Sequence, residues 1–171
     1  FRTEWLDNDT TVVFTPTTRL ALNTDYTLKL DVSAESAGGG KLQKELKWDF
    51  STVPEPAVVH TSPEANSTQK YYSGSFGVRF ASPMKLDTVK KNIVITPKPD
   101  EEIDWWYDEY EWSMTGYFLQ PSTRYTIRFL PGMQDIYGNE TKKETSVSFT
   151  TTARSPSASL RMPYQPSIHR L

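Results

Sequence analysis

The densest chemistry in this 171-residue chain lies between Asp100 and Trp112. This segment contains seven carboxylates, namely Asp100, Glu101, Glu102, Asp104, Asp108, Glu109 and Glu111. It also contains five aromatic residues, namely Trp105, Trp106, Tyr107, Tyr110 and Trp112. Aromatic rings with carboxylates beside them can stack on sugar rings or receive a basic peptide. The candidate binding residues for a carbohydrate or a peptide are therefore Trp105, Trp106, Tyr107 and Tyr110.

Two other interpretations of the same segment compete with a recognition surface. In the first, it is a hairpin whose aromatic side chains alternate between core and surface, with acids for solubility. Because neighbours on a strand point to opposite faces, Trp106 and Tyr107 cannot both face the core. In the second, two carboxyls about 5–10 Å apart act as a glycosidase pair. No companion motif supports catalysis, so we predict no catalytic residue and no enzyme activity.

A second motif, Asp135-x-x-Gly138-Asn139, offers oxygen atoms to a cation such as calcium. Only Asp135 and Glu140 carry carboxylates near this motif, whereas Ca²⁺ takes about 6–8 oxygen ligands. The alternative is a tight turn in which Gly138 adopts a positive φ and Asp135 accepts backbone N–H groups. We therefore predict a turn, no metal site and no cofactor. The two histidines, His60 and His169, stand alone in the sequence.

Composition limits the classes of function. The net charge is −2, which argues against nucleic acid as a partner. No apolar run approaches the ~20 residues that cross a bilayer, so we predict no membrane span. The chain has no cysteine, which excludes disulfides and a thiol nucleophile. Aromatic residues make up 13% of the chain, and frequent Val, Ile and Thr favour strands.

The chain also repeats itself. Tyr26-Thr27-Leu28 returns as Tyr125-Thr126-Ile127, and Phe50-Ser51-Thr52 returns as Phe149-Thr150-Thr151, each 99 residues later. A repeat of that length corresponds to one β-sandwich module of roughly 100 residues. The sequence therefore predicts an all-β fold with two modules in tandem, a class that is more often a spacer than an enzyme.

Period-2 alternation and turn residues predict the strands. The second repeat should contain strands at Val58–Thr61, Gly74–Phe80, Asn92–Thr96, Ile103–Tyr107, Tyr110–Met114, Arg124–Phe129 and Thr145–Thr151. The first repeat should contain strands at Thr11–Thr15, Asp25–Val32 and Lys44–Thr52. One or two helical turns are expected within Met84–Lys91.

The predicted domains are a first one, 1–53, that is incomplete at its N-terminus, a complete second one, 54–154, and an exit linker, 155–171. Counting back 99 residues from Pro54 places the early strands of the first repeat outside the chain. We expect either upstream residues or another segment to supply them, because an incomplete sandwich exposes its edges and core. Neighbouring domains of the same chain are therefore the expected partners.

The order of these motifs resembles the bacterial Ig-like domain of the surface-layer type. The residues that carry the resemblance are Phe80-Ala81-Ser82-Pro83-Met84, Leu119-x-Pro121-x-Thr123-x-Tyr125-Thr126, Asp135-x-x-Gly138-Asn139 and Phe149-Thr150-Thr151. The first repeat departs from the pattern where Ser36-Ala37-Gly38-Gly39-Gly40 replaces the Asp-x-x-Gly-Asn turn. Modules of this family occur in surface-layer proteins and near the front of bacterial alpha-2-macroglobulin-like proteins.

The resemblance implies a function and a location. It favours non-catalytic structural modules of a large exported bacterial protein, at the cell surface or in the periplasm. The alternative is a carbohydrate- or peptide-binding adhesion module that uses the surface of residues 100–112.

Overall fold

The computed structural model describes residues 1–8 and 10–159, which form eleven strands and one short helix. The first four strands are β1 Arg2–Leu6, β2 Thr11–Thr15, β3 Asp25–Leu30 and β4 Leu46–Ser51. The remaining elements are β5 Val58–Ser62, β6 Ser75–Phe80, α1 Leu86–Lys91, β7 Ile93–Thr96, β8 Trp105–Asp108, β9 Ser113–Tyr117, β10 Arg124–Phe129 and β11 Thr145–Thr150. The predicted all-β class and the short helix are confirmed.

The second repeat is a β-sandwich of two antiparallel sheets, ordered β5-β6-β9-β8 and β11-β10-β7. Alternation creates its core, because every second side chain of a strand points to the same face. In β6 the inward residues are Phe76, Val78 and Phe80, each at most 2% exposed. The facing strand β10 contributes Tyr125, Ile127 and Phe129. Helix α1 adds Val89, which is fully buried.

The last strand of the second repeat, β11, is paired on both of its edges. Its antiparallel partner is β10, with Tyr125 opposite Phe149. On the other edge the segment 66–69 runs parallel to it, through a bridge between Thr68 and Thr150. Three backbone hydrogen bonds of 2.6–2.9 Å join these two segments. The chain therefore has a parallel contact between an early and a late part of the same repeat.

The first repeat consists of two hairpins, β1–β2 and β3–β4. The β3–β4 hairpin has the register of β10–β11, because Tyr26 lies opposite Phe50 as Tyr125 lies opposite Phe149. The β1–β2 hairpin corresponds to β8–β9, with its last pair Leu6↔Thr11 equivalent to Asp108↔Ser113, 102 residues later. The offset is 102 here and 99 elsewhere because four residues, 16–19, separate β2 from Leu20, whereas a single residue, Phe118, separates β9 from Leu119.

One hydrogen-bond network explains why the repeated residue types recur. The Tyr26 hydroxyl accepts the Ala21 backbone N–H at 2.9 Å, and the Tyr125 hydroxyl accepts that of Gln120 at 2.9 Å. The Thr52 hydroxyl donates to the Ala21 carbonyl at 2.7 Å, as that of Thr151 does to Gln120 at 2.6 Å. Each tyrosine and threonine thus satisfies backbone groups of the loop before the strand, which accounts for the repetition of these residues.

Two strands differ from the prediction, and one repeated pair of residues differs in its exposure. Strand β9 runs over Ser113–Tyr117 and not Tyr110–Met114, because residues 109–112 form the hairpin turn and Trp112 has a positive φ of 51°. Strand β1 was not predicted at all. The stacked pair of Tyr26 and Phe50 matches its second-repeat equivalent in position, but Phe50 is 47% exposed where Phe149 is 2% exposed.

Candidate functional site

The aromatic segment lies in the β8–β9 hairpin, and alternation divides it between core and surface. Trp105 faces inward, is 8% exposed and packs edge-on against Phe118 with ring centroids 5.7 Å apart. Tyr107 also faces inward, and its hydroxyl accepts the backbone N–H of Met84 at 2.9 Å. Burial raises the pKa of this phenol above its ordinary value. Two of the four candidate binding residues therefore serve the core.

The other two candidates are open to solvent. Trp106 points away from the core and is 63% exposed, and Tyr110 in the hairpin turn is 96% exposed. This is the outcome that strand alternation requires, since Trp106 lies between two inward-facing neighbours. The accessible part of the candidate site is thus carried by Trp106 and Tyr110, which do not share a strand.

The outer face of the four-stranded sheet surrounds Trp106 with small residues. Trp106 lies opposite Thr115, and Thr115 lies opposite Gly77 on β6. Tyr117, which is 78% exposed, projects from the same face opposite Ser75. Diagonal neighbours of this kind on paired strands are about 7–8 Å apart. Two aromatic rings therefore flank a flat, hydroxyl-lined surface, which we call the Trp106 face.

Sequence reasoning missed Tyr117. Its exposure follows from the inward positions of Met114 and Gly116, which are both buried. Alternation predicts the exposure of Tyr117 only when β9 is known to begin at Ser113.

The carboxylates around this face are divided in role. Asp108 accepts the backbone N–H groups of Tyr110 at 2.9 Å and Glu111 at 3.1 Å, so it fixes the hairpin turn. The acids of the 100–104 connection and of the turn are exposed and give this end of the sheet a negative potential. Within residues 1–8 and 10–159, no three or more His, Asp or Glu side chains are grouped to hold a metal ion.

The Asp135 motif forms the expected turn. One oxygen of the fully buried Asp135 carboxylate accepts the backbone N–H of Tyr137 at 2.9 Å and that of Asn139 at 2.8 Å. The other oxygen accepts the Asn139 side-chain amide at 2.6 Å. Gly138 has a φ of +81°, as the turn interpretation predicts. Both carboxylate oxygens are therefore used within the turn.

An arginine of the first repeat docks on this turn. The Arg19 guanidinium donates to the side-chain oxygen of Asn139 and to the Tyr137 carbonyl, the latter at 3.3 Å. The Lys142 ammonium lies 2.8 Å from the Glu55 carboxylate, beside a concavity of about 490 Å³ between the two repeats. Sequence reasoning missed Arg19, because its equivalent 99 residues later is Phe118, a residue that packs on the core.

The two histidines and the predicted exit linker are the remaining candidates from the sequence. His60 is exposed on β5 opposite Arg79, with no second histidine near it in the described part of the chain. His169 and the end of the predicted exit linker, 160–171, lie outside the described residues. No helix among the described residues is both long and apolar enough to cross a membrane.

Comparison with known sequences identifies the family. The sequence model of the bacterial Ig-like domain matches residues 2–52 and again residues 53–151. The chain belongs to this family and contains two tandem copies of its domain, so the resemblance seen in the sequence is confirmed. No match was found among curated proteins.

Solved structures with a similar fold come from several kinds of protein. An L,D-transpeptidase from Mycobacterium smegmatis aligns over 57% of this chain and 40% of its own, at 15% identity and a TM-score of 0.40. Domains 1–6 of the surface-layer protein SbsC align over 61% of this chain and 14% of their own, at 23% identity and a TM-score of 0.42. CopC from Methylosinus trichosporium OB3b aligns over 60% of this chain and 99% of its own, at 16% identity and a TM-score of 0.40. This chain thus spans less than half of the transpeptidase and of SbsC.

Proposed function

We propose that the chain is a non-catalytic structural spacer that holds two Ig-like modules at a fixed angle in a large exported bacterial protein. The observation that carries the proposal is the docking of Arg19 on Asn139. Asn139 is only 8% exposed, and Asp135 already holds its side-chain amide. The acceptor oxygen is therefore oriented before Arg19 arrives, and a hydrogen bond to a charged donor is stronger than a neutral one.

The link between the modules supports the same function. The Val53 carbonyl accepts the backbone N–H of Asn23 at 2.9 Å, which ties the start of the link to the first repeat. Pro54 and Pro56 then restrict the backbone, and such short proline-bearing linkers are semi-rigid. The exposed pair of Glu55 and Lys142 adds little energy, so we assign the orientation to Arg19 and the prolines.

Membership of the family supports a proposal about the wider setting of the chain. Bacterial Ig-like domains typically belong to larger exported chains, which favours the cell surface or the periplasm. A surface-layer-like or alpha-2-macroglobulin-like protein is the setting we propose, with neighbouring domains of the same chain as the partners.

Spin labels on each module test the fixed angle. The chain has no cysteine, so Lys44→Cys and Lys98→Cys place one label on each exposed loop. We expect a narrow distance distribution by electron paramagnetic resonance in the parent chain and a distribution at least about twice as wide after Arg19→Ala, because the oriented contact is lost. Arg124→Ala, an exposed arginine of β10, is the matched control and should leave the distribution narrow. Equal widths for the parent and Arg19→Ala would contradict the spacer.

A second candidate function is recognition of a carbohydrate on the Trp106 face. The supporting observation is the exposure of Trp106 and Tyr117 beside small hydroxyl-bearing residues, because sugar rings stack on aromatic faces and offer hydroxyls to their surroundings. Titration with oligosaccharides, followed by tryptophan fluorescence, should give saturable binding that Trp106→Ala and Tyr117→Ala each abolish. The control is Tyr71→Ala, since Tyr71 is 74% exposed and not on β6, β8 or β9. Binding of basic peptides alone would assign the face to a peptide, and no binding would leave it without this role.

A further inference from the structure

The Trp106 face carries a carboxylate beside its two aromatic rings. Trp105 points into the core, so its neighbours Asp104 and Trp106 both point outward, and both are exposed. Trp105 lies opposite Gly116, and continuing that antiparallel register by one residue places Asp104 opposite Tyr117. Asp104 also lies two residues from Trp106 on the same side of the chain, about 7 Å away. Asp104, Trp106 and Tyr117 therefore form a triangle of exposed side chains at one edge of the sheet.

The carboxylate of this triangle has no basic partner within the described part of the chain. The acids there that form ion pairs are Glu35, Glu45, Asp49, Glu55 and Glu144. Residues 99–123 contain seven carboxylates and no lysine, arginine or histidine. Arg79 on the same face lies two strands from β8, at least about 10 Å away, which is a Debye length at about 0.1 M salt. The negative charge beside Trp106 and Tyr117 is thus left for a ligand to neutralise.

A cation held over the triangle meets three attractive groups at once. The faces of an indole and a phenol ring attract positive charge, and the effect is largest for tryptophan. The Asp104 carboxylate adds an ion pair at the same point. A neutral sugar ring can use the two aromatic faces but gains nothing from the carboxylate. The triangle therefore favours a ligand that combines a ring with a positive charge.

A concavity of about 270 Å³ continues this surface on the other side of Tyr117. Its lining includes the exposed acids Asp100, Glu101 and Glu102. A ligand that runs from Trp106 past Tyr117 thus meets further carboxylates along its path. A lysine side chain offers charge without a ring to stack on the aromatic faces, whereas a chain of charged sugar rings matches both the aromatic rings and the acids.

We infer that the Trp106 face binds a glycan whose sugar rings carry free ammonium groups, that is, an amino-sugar polymer without N-acetyl groups. The inference rests on the carbohydrate function proposed for this face and names its ligand class. One ring stacks on Trp106 with its ammonium group beside Asp104. The chain then passes Tyr117 and reaches the concavity lined by residues 99–103.

The probes are oligosaccharides of glucosamine and of N-acetylglucosamine with equal length and linkage. The two share their rings and differ in the acetyl group and the charge. Calorimetric titration of the complete chain at about pH 5.5 keeps amines protonated and aspartates ionised. We expect the glucosamine oligomer to bind at least about fivefold more tightly, and this preference to shrink as salt is added, because exposed charges are screened.

An isosteric substitution tests the role of the carboxylate. Asp104→Asn removes the charge and keeps the size of the side chain, so it should abolish the preference while leaving the binding of the N-acetyl oligomer unchanged. Asp87→Asn alters an exposed aspartate of α1 and makes the same change in net charge, so it should retain the preference. Loss of the preference in both variants would reveal a general charge effect and overturn the inference.

The other outcomes separate this inference from the carbohydrate function itself. Equal or tighter binding of the N-acetyl oligomer would refute the inference and leave the carbohydrate function standing. Failure of both oligomers and of neutral oligosaccharides to bind would refute both. Binding of oligolysine without binding of either sugar would also refute both, because the face would then belong to a basic peptide.

Discussion

The side chain of Asp135 organises both its own turn and the contact between the repeats. It accepts three N–H donors and is fully buried, so it satisfies donors that solvent does not reach. Because it also holds the Asn139 amide, it determines which atom of Asn139 faces Arg19. The orientation of the Asn139 oxygen that accepts from Arg19 is thus a consequence of the buried carboxylate of Asp135, which holds the other end of the Asn139 amide.

Replacing Asp135 tests this role. Asp135→Ala leaves three donors without an acceptor, and we expect the free energy of unfolding to fall by about 3 kcal/mol. Urea denaturation followed by circular dichroism measures the change. Asp108→Ala is the matched control, because Asp108 also accepts two backbone N–H groups but in a solvent-exposed turn, and it should cost less than about 1 kcal/mol. Similar losses for both variants would contradict a special role for burial.

Tyr107 predicts a dependence on alkaline pH. Burial raises the pKa of its phenol in the folded chain, and the nearby carboxylates of Glu109 and Asp108 act in the same direction. The folded state therefore keeps its proton while the unfolded chain ionises near pH 10. This contribution is fully present below about pH 10 and is lost as the pH rises through the folded-state pKa.

The measurement is the urea midpoint of the chain and of Tyr107→Phe between about pH 8 and pH 11. The variant lacks the titrating group, so the stability of the parent should fall relative to that of Tyr107→Phe as the pH rises. Parallel curves would show that the phenol does not ionise differently in the two states.

Part of the candidate site was within reach of sequence reasoning. Alternation alone requires Trp106 to be exposed if Trp105 and Tyr107 are inward, and this is the arrangement found. Which of the aromatic residues face inward depends on the packing of the opposite sheet. The sequence alone therefore could not predict that Trp105 and Tyr107 belong to the core and not to the binding surface. Arg19 was beyond reach because its partner, Asn139, lies 120 residues away in another repeat.

Within the β8–β9 hairpin, a glycine on β9 leaves the space that the Trp105 ring of β8 occupies in the core. Gly116 is buried opposite Trp105, and a Cβ atom there would lie 2.8 Å from the Trp105 ring. No such approach is possible for a side-chain-bearing residue without displacing the tryptophan. Gly116 therefore determines how deeply Trp105 enters the sandwich.

Two glycines of the same sheet provide a matched pair. Gly116→Ala should destabilise the second repeat by about 1–3 kcal/mol, because the added methyl group meets Trp105 and Ile103. Gly77→Ala should change stability by less than about 0.5 kcal/mol, because the nearest atom to its Cβ would be the Thr115 hydroxyl at 3.7 Å. Thermal unfolding followed by circular dichroism distinguishes them. A large loss for Gly77→Ala would show that backbone freedom, and not space, controls these positions.

The strands that sequence reasoning found are those with one buried face. Strand β10 was predicted as Arg124–Phe129 and is found there, since Tyr125, Ile127 and Phe129 alternate with polar residues. Strand β1, Arg2–Leu6, has all five residues exposed and shows no alternation that would reveal it. The start of β9 was misplaced because Tyr110 and Trp112 have strand-favouring side chains but occupy a turn.

At the scale of the whole molecule, the two repeats differ in how much core they enclose. Within the described residues, 1–8 and 10–159, all buried apolar residues belong to the second repeat. The second repeat has seven strands and the first has four. A half-sandwich buries too little apolar area to offset the loss of chain entropy. The stability of the chain therefore resides in the second repeat.

Dividing the chain checks this distribution. Residues 54–154 should unfold in one cooperative transition with urea, whereas residues 1–53 should show no transition and should self-associate through their apolar face. Sedimentation and circular dichroism report the two outcomes. A cooperative, monomeric 1–53 would mean that its hairpins enclose a core of their own.

The parallel contact between residues 66–69 and β11 has a mechanical consequence. Tension along the polypeptide pulls the early segment toward its amino end and β11 toward its carboxyl end, which are opposite directions along two parallel strands. The hydrogen bonds between them are then sheared together and share the load. In the first repeat the same tension acts at the open end of the β3–β4 hairpin, where Asp25 faces Ser51, and separates the pairs one at a time. A stretched chain should therefore yield in its first repeat while the second still bears force.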